Sequence, residues 1–260
     1  MSKTNSPFRA AIYQYKARDE TPVKRIARLG HILADSGSGA FDLLVCPELF
    51  LSGYNVADDI IKYSKTSSGT YFKQISELAK TWNTAIIYGY PEDTPKGRYN
   101  SALCVSAEGE IMANHRKMGL PSDYEKLYFQ RGVQTTVFEI KGYRLAIAVC
   151  YDAEFPENIR KCAQHGAEIV IVPTALVERW TFVARKMMPT RAFENGVFLL
   201  YANYCGEENG SRYLGDSRII APDGEELAVA GTEETVINAE LDQKRITESR
   251  WILPYLEDLQ

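Results

Sequence analysis

The sequence predicts a mixed α/β fold, one domain with two sheets inside and helices outside. Three observations carry this. Apolar, strand-like runs alternate with helical patterns, interspersed with several hairpins. The strand runs are apolar on both faces, as sheets covered on both sides require. No low-complexity linker, charge block or internal repeat divides the 260 residues, so one unit over 1–260 is expected.

The elements follow in chain order. Phe8 to Tyr15 reads as a strand covered on both faces. Thr21 then caps a helix with Pro22 at its first position, where a missing N–H costs nothing. Val23, Ile26, Ala27, Gly30 and Leu33 line one face of that helix. Asp42 to Glu48 is a short apolar run that stops at Pro47-Glu48. Tyr71, Ile75, Leu78 and Trp82 have helical spacing, and Thr84 to Tyr90 is a strand. Ser101 to Ala107 turns through Glu108-Gly109 into Glu110 to Asn114, a hairpin.

The second half repeats this style. Arg144 to Cys150 is a buried strand ending at the cysteine. Pro156 opens a helix carrying Ile159, Cys162 and Ala163, and Gly166 ends it. Glu168 to Pro173 is a strand, Thr181 to Asn195 a helical stretch, and Val197 to Asn203 a strand. Pro189 interrupts that helical stretch and predicts a kink or a restart. Ser217 to Ala221 and Glu225 to Val229 flank the Asp223-Gly224 turn. The tail adds one strand and an arm containing Trp251.

Composition excludes whole classes. With 45% hydrophobic and 25% charged residues, the chain is neither disordered nor fibrous. Its size supports a core without disulfides or metal. The net charge is −4 without a basic stripe, which argues against nucleic acid as a partner. No apolar run approaches the roughly 20 residues of a membrane helix, which argues against a membrane partner. The start, MSKTNSPFRA, lacks the apolar core of a signal peptide. A soluble, cytoplasmic protein is expected. The five cysteines are Cys46, Cys104, Cys150, Cys162 and Cys205. An odd count without a secretion signal argues against a disulfide framework, and most are expected to be small buried hydrophobes.

Chemistry in layered α/β folds gathers where strands end. Three such places carry reactive residues: Glu48 in CPELFLSGYN, Lys117 in NHRKMGLPS and Cys150 in AVCYDAEFPE. Each has a plain structural reading: a cap or surface charge, a solvated loop lysine, a core cysteine. Their shared location at strand ends and nearby loops is what suggests convergence. If they converge, a carboxylate in an apolar pocket takes the thiol proton. An ammonium beside it stabilises the oxyanion formed when sulfur attacks a carbonyl or nitrile carbon. That is an acyl-transfer apparatus without histidine. His31, His115 and His165 supply no evident Cys–His pair, and His115 is at best a supporting neighbour of Lys117. No spacing suggests zinc or another metal. The SGSG run at Ser36 to Gly39 precedes a strand, so it is no phosphate loop.

The motifs PELFLSGY (Pro47 to Tyr54), RKMGLPS (Arg116 to Ser122), EKLYFQRG (Glu125 to Gly132), CYDAEFPE (Cys150 to Glu157), RAFENGVF (Arg191 to Phe198) and LGDSRIIAPDGE (Leu214 to Glu225) occur in order. With them the chain resembles the nitrilase, or carbon–nitrogen hydrolase, superfamily over nearly its whole length. The resemblance implies a four-layer α-β-β-α sandwich forming one carbon–nitrogen hydrolase domain over 1–260. It implies a triad in which Glu48 is general base, Lys117 holds the oxyanion and Cys150 is the nucleophile. Glu125 matches the family's second glutamate, which would orient Lys117 and help position substrate. The backbone amide of Tyr151 would be the second oxyanion donor. The resemblance implies no metal or organic cofactor, and a homodimer or higher homo-oligomer.

True nitrilases tend to carry Trp-Glu after the cysteine, whereas Tyr151-Asp152 resembles the amidase-like branch. The expected activity is release of ammonia from a small primary carboxamide. The alternatives are an ω-amidase or N-carbamoyl hydrolase, less so a nitrilase, and a catalytically inactive scaffold. An acyltransferase or amide synthase lacks its membrane segments or ATP-dependent domain here, and a redox role lacks a Cys-x-x-Cys pair. Glu154 is a helix-start charge near Pro156, an ion-pair partner of an arginine, or a pocket carboxylate favouring substrates with an amine or polar group. Thr174 and Trp180 follow a strand end and could line the acyl pocket, and Tyr54 could wall it; plain packing is the other reading of Trp180 and Tyr54.

Overall fold

The computed structural model describes residues 7–259. Its first sheet contains β1 (Phe8–Gln14), β3 (Leu43–Val45), β4 (Ala85–Thr94), β5 (Gly97–Val105), β6 (Ile111–Arg116) and β15 (Thr235–Leu241), in the order β15-β1-β3-β4-β5-β6. The second contains β7 (Thr136–Ile140), β8 (Tyr143–Ile147), β9 (Ile169–Pro173), β10 (Phe198–Ala202), β13 (Arg218–Ile220) and β14 (Glu226–Val229), in the order β14-β13-β10-β9-β8-β7. A small third sheet joins β2 (Lys16–Ala17) to the hairpin of β11 (Cys205–Glu208) and β12 (Ser211–Leu214).

Strand alternation sorts the side chains into layers. Phe8, Ala10 and Ile12 of β1 join Leu145, Ile171 and Leu200 of the second sheet in one core between the sheets. The alternate residues Ala11 and Tyr13 face outward. There they meet α1 (Pro22–Ser36) and α3 (Thr70–Trp82) through Ile26, Leu29, Leu33, Ile75 and Ala79. On the far side, Val170, Val172 and Leu199 pack against α5 (Pro156–Gln164) and α6 (Met188–Phe193) through Ile159, Cys162, Met188 and Ala192. Helix, sheet, sheet, helix is the four-layer α-β-β-α sandwich the sequence led us to expect. The short helices α2 (Asp59–Tyr63) and α4 (Asp123–Tyr128) lie in loops, and α7 (Gln243–Ile252) and α8 (Tyr255–Asp258) form the C-terminal arm. Among the described residues no helix is long and apolar enough to cross a membrane.

Several local expectations need correction. Val23 and Ala27 of α1 are exposed, and the buried face is Pro22, Arg25, Ile26, Leu29 and Leu33. The phase differs because a buried charge, Arg25, belongs to that face. Thr21 occupies the cap position without a side-chain cap bond. Strand β8 ends at Ile147, and Cys150 instead opens a 3₁₀ turn, Cys150–Glu154. The stretch before Asn195 is not one helix. A π-turn over Val183–Met187 is followed by α6, whose start accommodates Pro189 where its missing N–H is tolerated. Trp251 lies in α7. The hairpin around Glu108-Gly109 forms as expected. Cys46, Cys104, Cys162 and Cys205 are buried free thiols.

Candidate active site

Glu48 leaves β3 through Cys46 and Pro47 and enters a tight turn in which Leu49 has φ of 49°. Gly89 of β4 lies under this turn; a side chain there would run into the backbone of Pro47, Glu48 and Leu49. Lys117 leaves β6 and is pinned on both sides. Its amide donates to Asn100 O at 2.8 Å, and its carbonyl accepts the Gly132 amide at 2.7 Å. Glu125 stands on α4, whose capping residue Ser122 accepts the Glu125 amide at 3.1 Å.

These three side chains meet in the interior, and all are fully buried. Lys117 Nζ donates to Glu48 Oε1 at 2.6 Å and to Glu125 Oε1 at 2.5 Å. Asn100 Nδ2 donates to the same Glu48 oxygen at 2.7 Å. Among the described residues Glu48 Oε2 and Glu125 Oε2 have no hydrogen-bond partner. A buried carboxylate oxygen with no partner is costly unless a ligand or a reacting proton uses it.

Cys150 has φ of 51°, in the left-handed region that non-glycine residues rarely enter. Such strain projects the side chain out of the turn. The first hydrogen bond of the turn runs from the Asp152 amide to Val149 O at 3.0 Å, so the Tyr151 amide precedes the internal ladder. The Thr174 hydroxyl and the Ala175 amide lie against the sulfur. Thr174 is fully buried beneath Cys150, with its hydroxyl also reaching Tyr201 Oη at 3.3 Å.

The electrostatics follow from burial. Burial pushes the Cys150 thiol far above its ordinary range and the Glu48 charge adds to this. Lys117, the Thr174 hydroxyl and the Ala175 amide pull it back only in part. The resting sulfur is a thiol, so attack needs a base. Burial alone would lower the Lys117 ammonium, yet the Glu48 and Glu125 carboxylates hold the lysine well above its usual range. Burial carries the Glu125 carboxyl up to about 7 against the pull of Lys117.

A cavity of about 560 Å³ opens onto Cys150. Tyr54, Tyr151, Glu154 and Trp180 line it, as do Tyr124 and Arg179. Tyr54 is half-buried, and its hydroxyl donates to Glu125 Oε1 at 2.9 Å. Trp180 is 51% exposed, and Arg179 lies over its ring at 5.1 Å. The Glu154 carboxylate has no ion-pair partner within 4.0 Å among the described residues; Arg191 meets the Glu154 carbonyl instead, at 2.8 Å. Burial raises the Glu154 carboxyl, opposed by Lys117 and Arg191. Of its two structural readings, the arginine ion pair is not formed, while Glu154 does lie just before α5, which Pro156 opens.

Sequence reasoning missed Asn100 and Asp152. Asp152 is fully buried and accepts the amides of Met118 at 3.1 Å and Gly119 at 2.7 Å. His115 bridges Asp152 Oδ2 at 3.4 Å and Thr136 Oγ1 at 3.2 Å, so it is a support of the lysine loop. Among the described residues no group of three or more His, Cys, Asp or Glu side chains converges as a metal site.

Residues 9–250 match the family profile described as carbon–nitrogen hydrolase. The chain is 40% identical over 254 residues to "Hydrolase in pqqF 5'region" of Pseudomonas protegens, covering 96% of this chain and 88% of that one. It is 31% identical over 249 residues to an (R)-stereoselective amidase of a Pseudomonas species, covering 95% and 89%. Among solved structures it is similar to a variant of the amidase from Nesterenkonia sp. AN1, with a TM-score of 0.88 and 31% identity over 98% of this chain and 95% of that one. That structure shows covalent addition of the acetamide moiety of fluoroacetamide at the active-site cysteine.

Proposed function

The chain belongs to the carbon–nitrogen hydrolase family, in the amidase-like branch of the nitrilase superfamily, and on that premise we propose that it hydrolyses small primary carboxamides through a Cys150 thioester. The observation that carries the reading is Lys117, buried between Glu48 and Glu125, with a free Glu48 oxygen left to take a proton.

Glu48 Oε2 accepts the Cys150 thiol proton as sulfur attacks the amide carbon. The oxygen of the tetrahedral intermediate is held by Lys117 Nζ and the Tyr151 amide. Glu48 returns the proton to the leaving nitrogen, the C–N bond breaks and ammonia departs. Glu48 then activates a water that attacks the thioester, releasing the acid and restoring the thiol. Glu125, held by Tyr54, orients Lys117 and the substrate nitrogen. Thr174 keeps the sulfur in place, while Trp180 and Tyr54 bound the acyl group. No cofactor enters the reaction.

Glu154 sets the preference within this class. An unpaired carboxylate in the cavity attracts an ammonium or other donor on the acyl group and repels a carboxylate. A second reading, an ω-amidase acting on a dicarboxylic monoamide, draws on Arg179 at the cavity wall. N-carbamoyl compounds would use the same apparatus.

We also propose a homodimer or higher homo-oligomer, in the cytoplasm. Phe193, Trp251, Ile252 and Tyr255 are exposed large apolar residues on α6 and the C-terminal arm, a surface suited to a second copy. Ammonia release from a panel of carboxamides, dicarboxylic monoamides, N-carbamoyl compounds and nitriles tests the activity. Release from simple carboxamides that is lost in Cys150→Ala is the expected result; release from monoamides alone favours the second reading.

A further inference from the structure

Glu208 lies outside the reaction and outside the motifs that suggested it. It is a buried carboxylate at the end of β11, in the hairpin that forms the small third sheet. Its Oε2 accepts two consecutive backbone amides, Tyr54 and Asn55, each at 2.9 Å. The Tyr213 hydroxyl reaches the same oxygen at 3.4 Å. Its Oε1 pairs with Arg25 Nη2 at 3.2 Å.

Arg25 is itself anchored. It donates to the carbonyls of Arg18 at 2.7 Å, Glu20 at 3.1 Å and Phe50 at 3.3 Å, and its guanidinium lies 5.0 Å from the Tyr15 ring centroid. Gly53 has φ of 86°, and any side chain there would run into Glu208, Val56 and Arg25. Its conformation turns the next two amides toward the carboxylate, an anion-binding nest filled by the protein's own glutamate. Asn55 and Asn209 close the contact reciprocally: Asn55 Nδ2 donates to Asn209 O at 3.2 Å and Asn209 Nδ2 to Asn55 O at 2.6 Å.

The loop so fixed carries Tyr54. Its hydroxyl is 2.9 Å from Glu125 Oε1, the oxygen that also receives Lys117. We infer that Glu208 is a positioning residue: paired with Arg25, it cradles the Gly53–Asn55 loop so that Tyr54 holds Glu125, and through it Lys117, in the reacting arrangement. A charged acceptor suits this task, because hydrogen bonds to an ionised group are shorter and stronger than neutral ones. Two amides fixed by one carboxylate leave the Tyr54 backbone little freedom, and misplacement of about 1 Å costs on the order of 100-fold in rate.

This inference rests on the reading of Glu125 given above. Its test is a double-mutant cycle on kcat with Glu208→Gln and Tyr54→Phe. Each single change lowers kcat about tenfold or more, and Glu208→Gln costs less than threefold once Tyr54 is phenylalanine. If Glu208→Gln does not fold, Arg25→Lys takes its place in the cycle, keeping the charge while losing the planar fork. A lowered Tm with kcat unchanged would overturn the inference, as would losses that multiply. Glu125→Gln in the same assay separates the two claims. Activity lost there and kept in Glu208→Gln removes this inference alone; activity kept in Glu125→Gln removes both.

Discussion

The Asp152 carboxylate accepts the Gly119 amide at 2.7 Å, and that bond fastens the cysteine turn to the lysine loop. Asp152 also accepts the Met118 and Val149 amides, so one buried side chain ties the Cys150 turn to the Lys117 loop. Asp152→Ala leaves these amides and His115 without their partner. It is expected to cost about 3 kcal/mol or more of stability and to lower kcat by more than KM rises. Urea unfolding beside steady-state kinetics checks this; a variant with wild-type kcat contradicts it.

Lys117→Met removes the cation shared by two buried carboxylates. Leaving a buried charge unpaired costs about 3–5 kcal/mol, and losing an oxyanion donor costs on the order of 100- to 1,000-fold in kcat. Because Glu125 can take up a proton, the stability loss is expected to be smaller at pH 5 than at pH 8. Equal losses at both values count against the coupling of these charges.

The Glu125 carboxyl stands at about 7, above its value of about 4.3 in an unfolded chain. Between those values the folded state binds more protons than the unfolded one. By linkage this site therefore lowers stability as pH rises from about 4.5 to 7. Glu125→Gln cannot ionise, so its stability curve lacks that decline. Chemical denaturation of both proteins across this window reads the difference; parallel curves refute it.

Glu48→Gln separates nucleophile from base. The Glu48 charge raises the Cys150 thiol, so its removal brings the thiol down while Lys117 remains. Alkylation of Cys150 by iodoacetamide at pH 7 is expected to slow far less than amide turnover, because alkylation needs no proton returned to a leaving nitrogen. Amide turnover is expected to fall by about 100- to 10,000-fold, since the proton no longer reaches the leaving nitrogen. Alkylation and turnover falling together would contradict the assignment.

Glu154→Gln tests the pocket charge. The ratio of kcat/KM for an ammonium-bearing amide over a neutral amide of equal size is expected to fall about tenfold, roughly 1.4 kcal/mol at a partly buried site. An unchanged ratio removes Glu154 from specificity.

Much of this was legible in the sequence, and the rest was hidden for physical reasons. Apolar runs such as Ile169–Pro173 declared the strands because both faces are covered. Glu48, Lys117 and Cys150 stood out as reactive groups at or near strand ends, and the family resemblance joined them into a triad. Asn100 sits inside β5, where nothing local marks it, and acts only because Glu48 comes opposite. Arg25 and Glu208 are separated by 183 positions, so neither spacing nor periodicity joins them. Arg25 even misled the helix phase, since a charge on a buried face is tolerated only when paired. The turn at Cys150 read as the end of a strand because apolarity continues to Val149, while the positive φ has no signature in residue type.

The central claim is the Cys150 thioester. Acid-quenched samples taken within the first turnovers on a primary carboxamide, digested and weighed by mass spectrometry, test it most directly. The acyl mass is expected on the peptide containing Cys150, lost on treatment with hydroxylamine and absent from Cys150→Ala, which also releases no ammonia. Ammonia release by Cys150→Ala at the wild-type rate would contradict it.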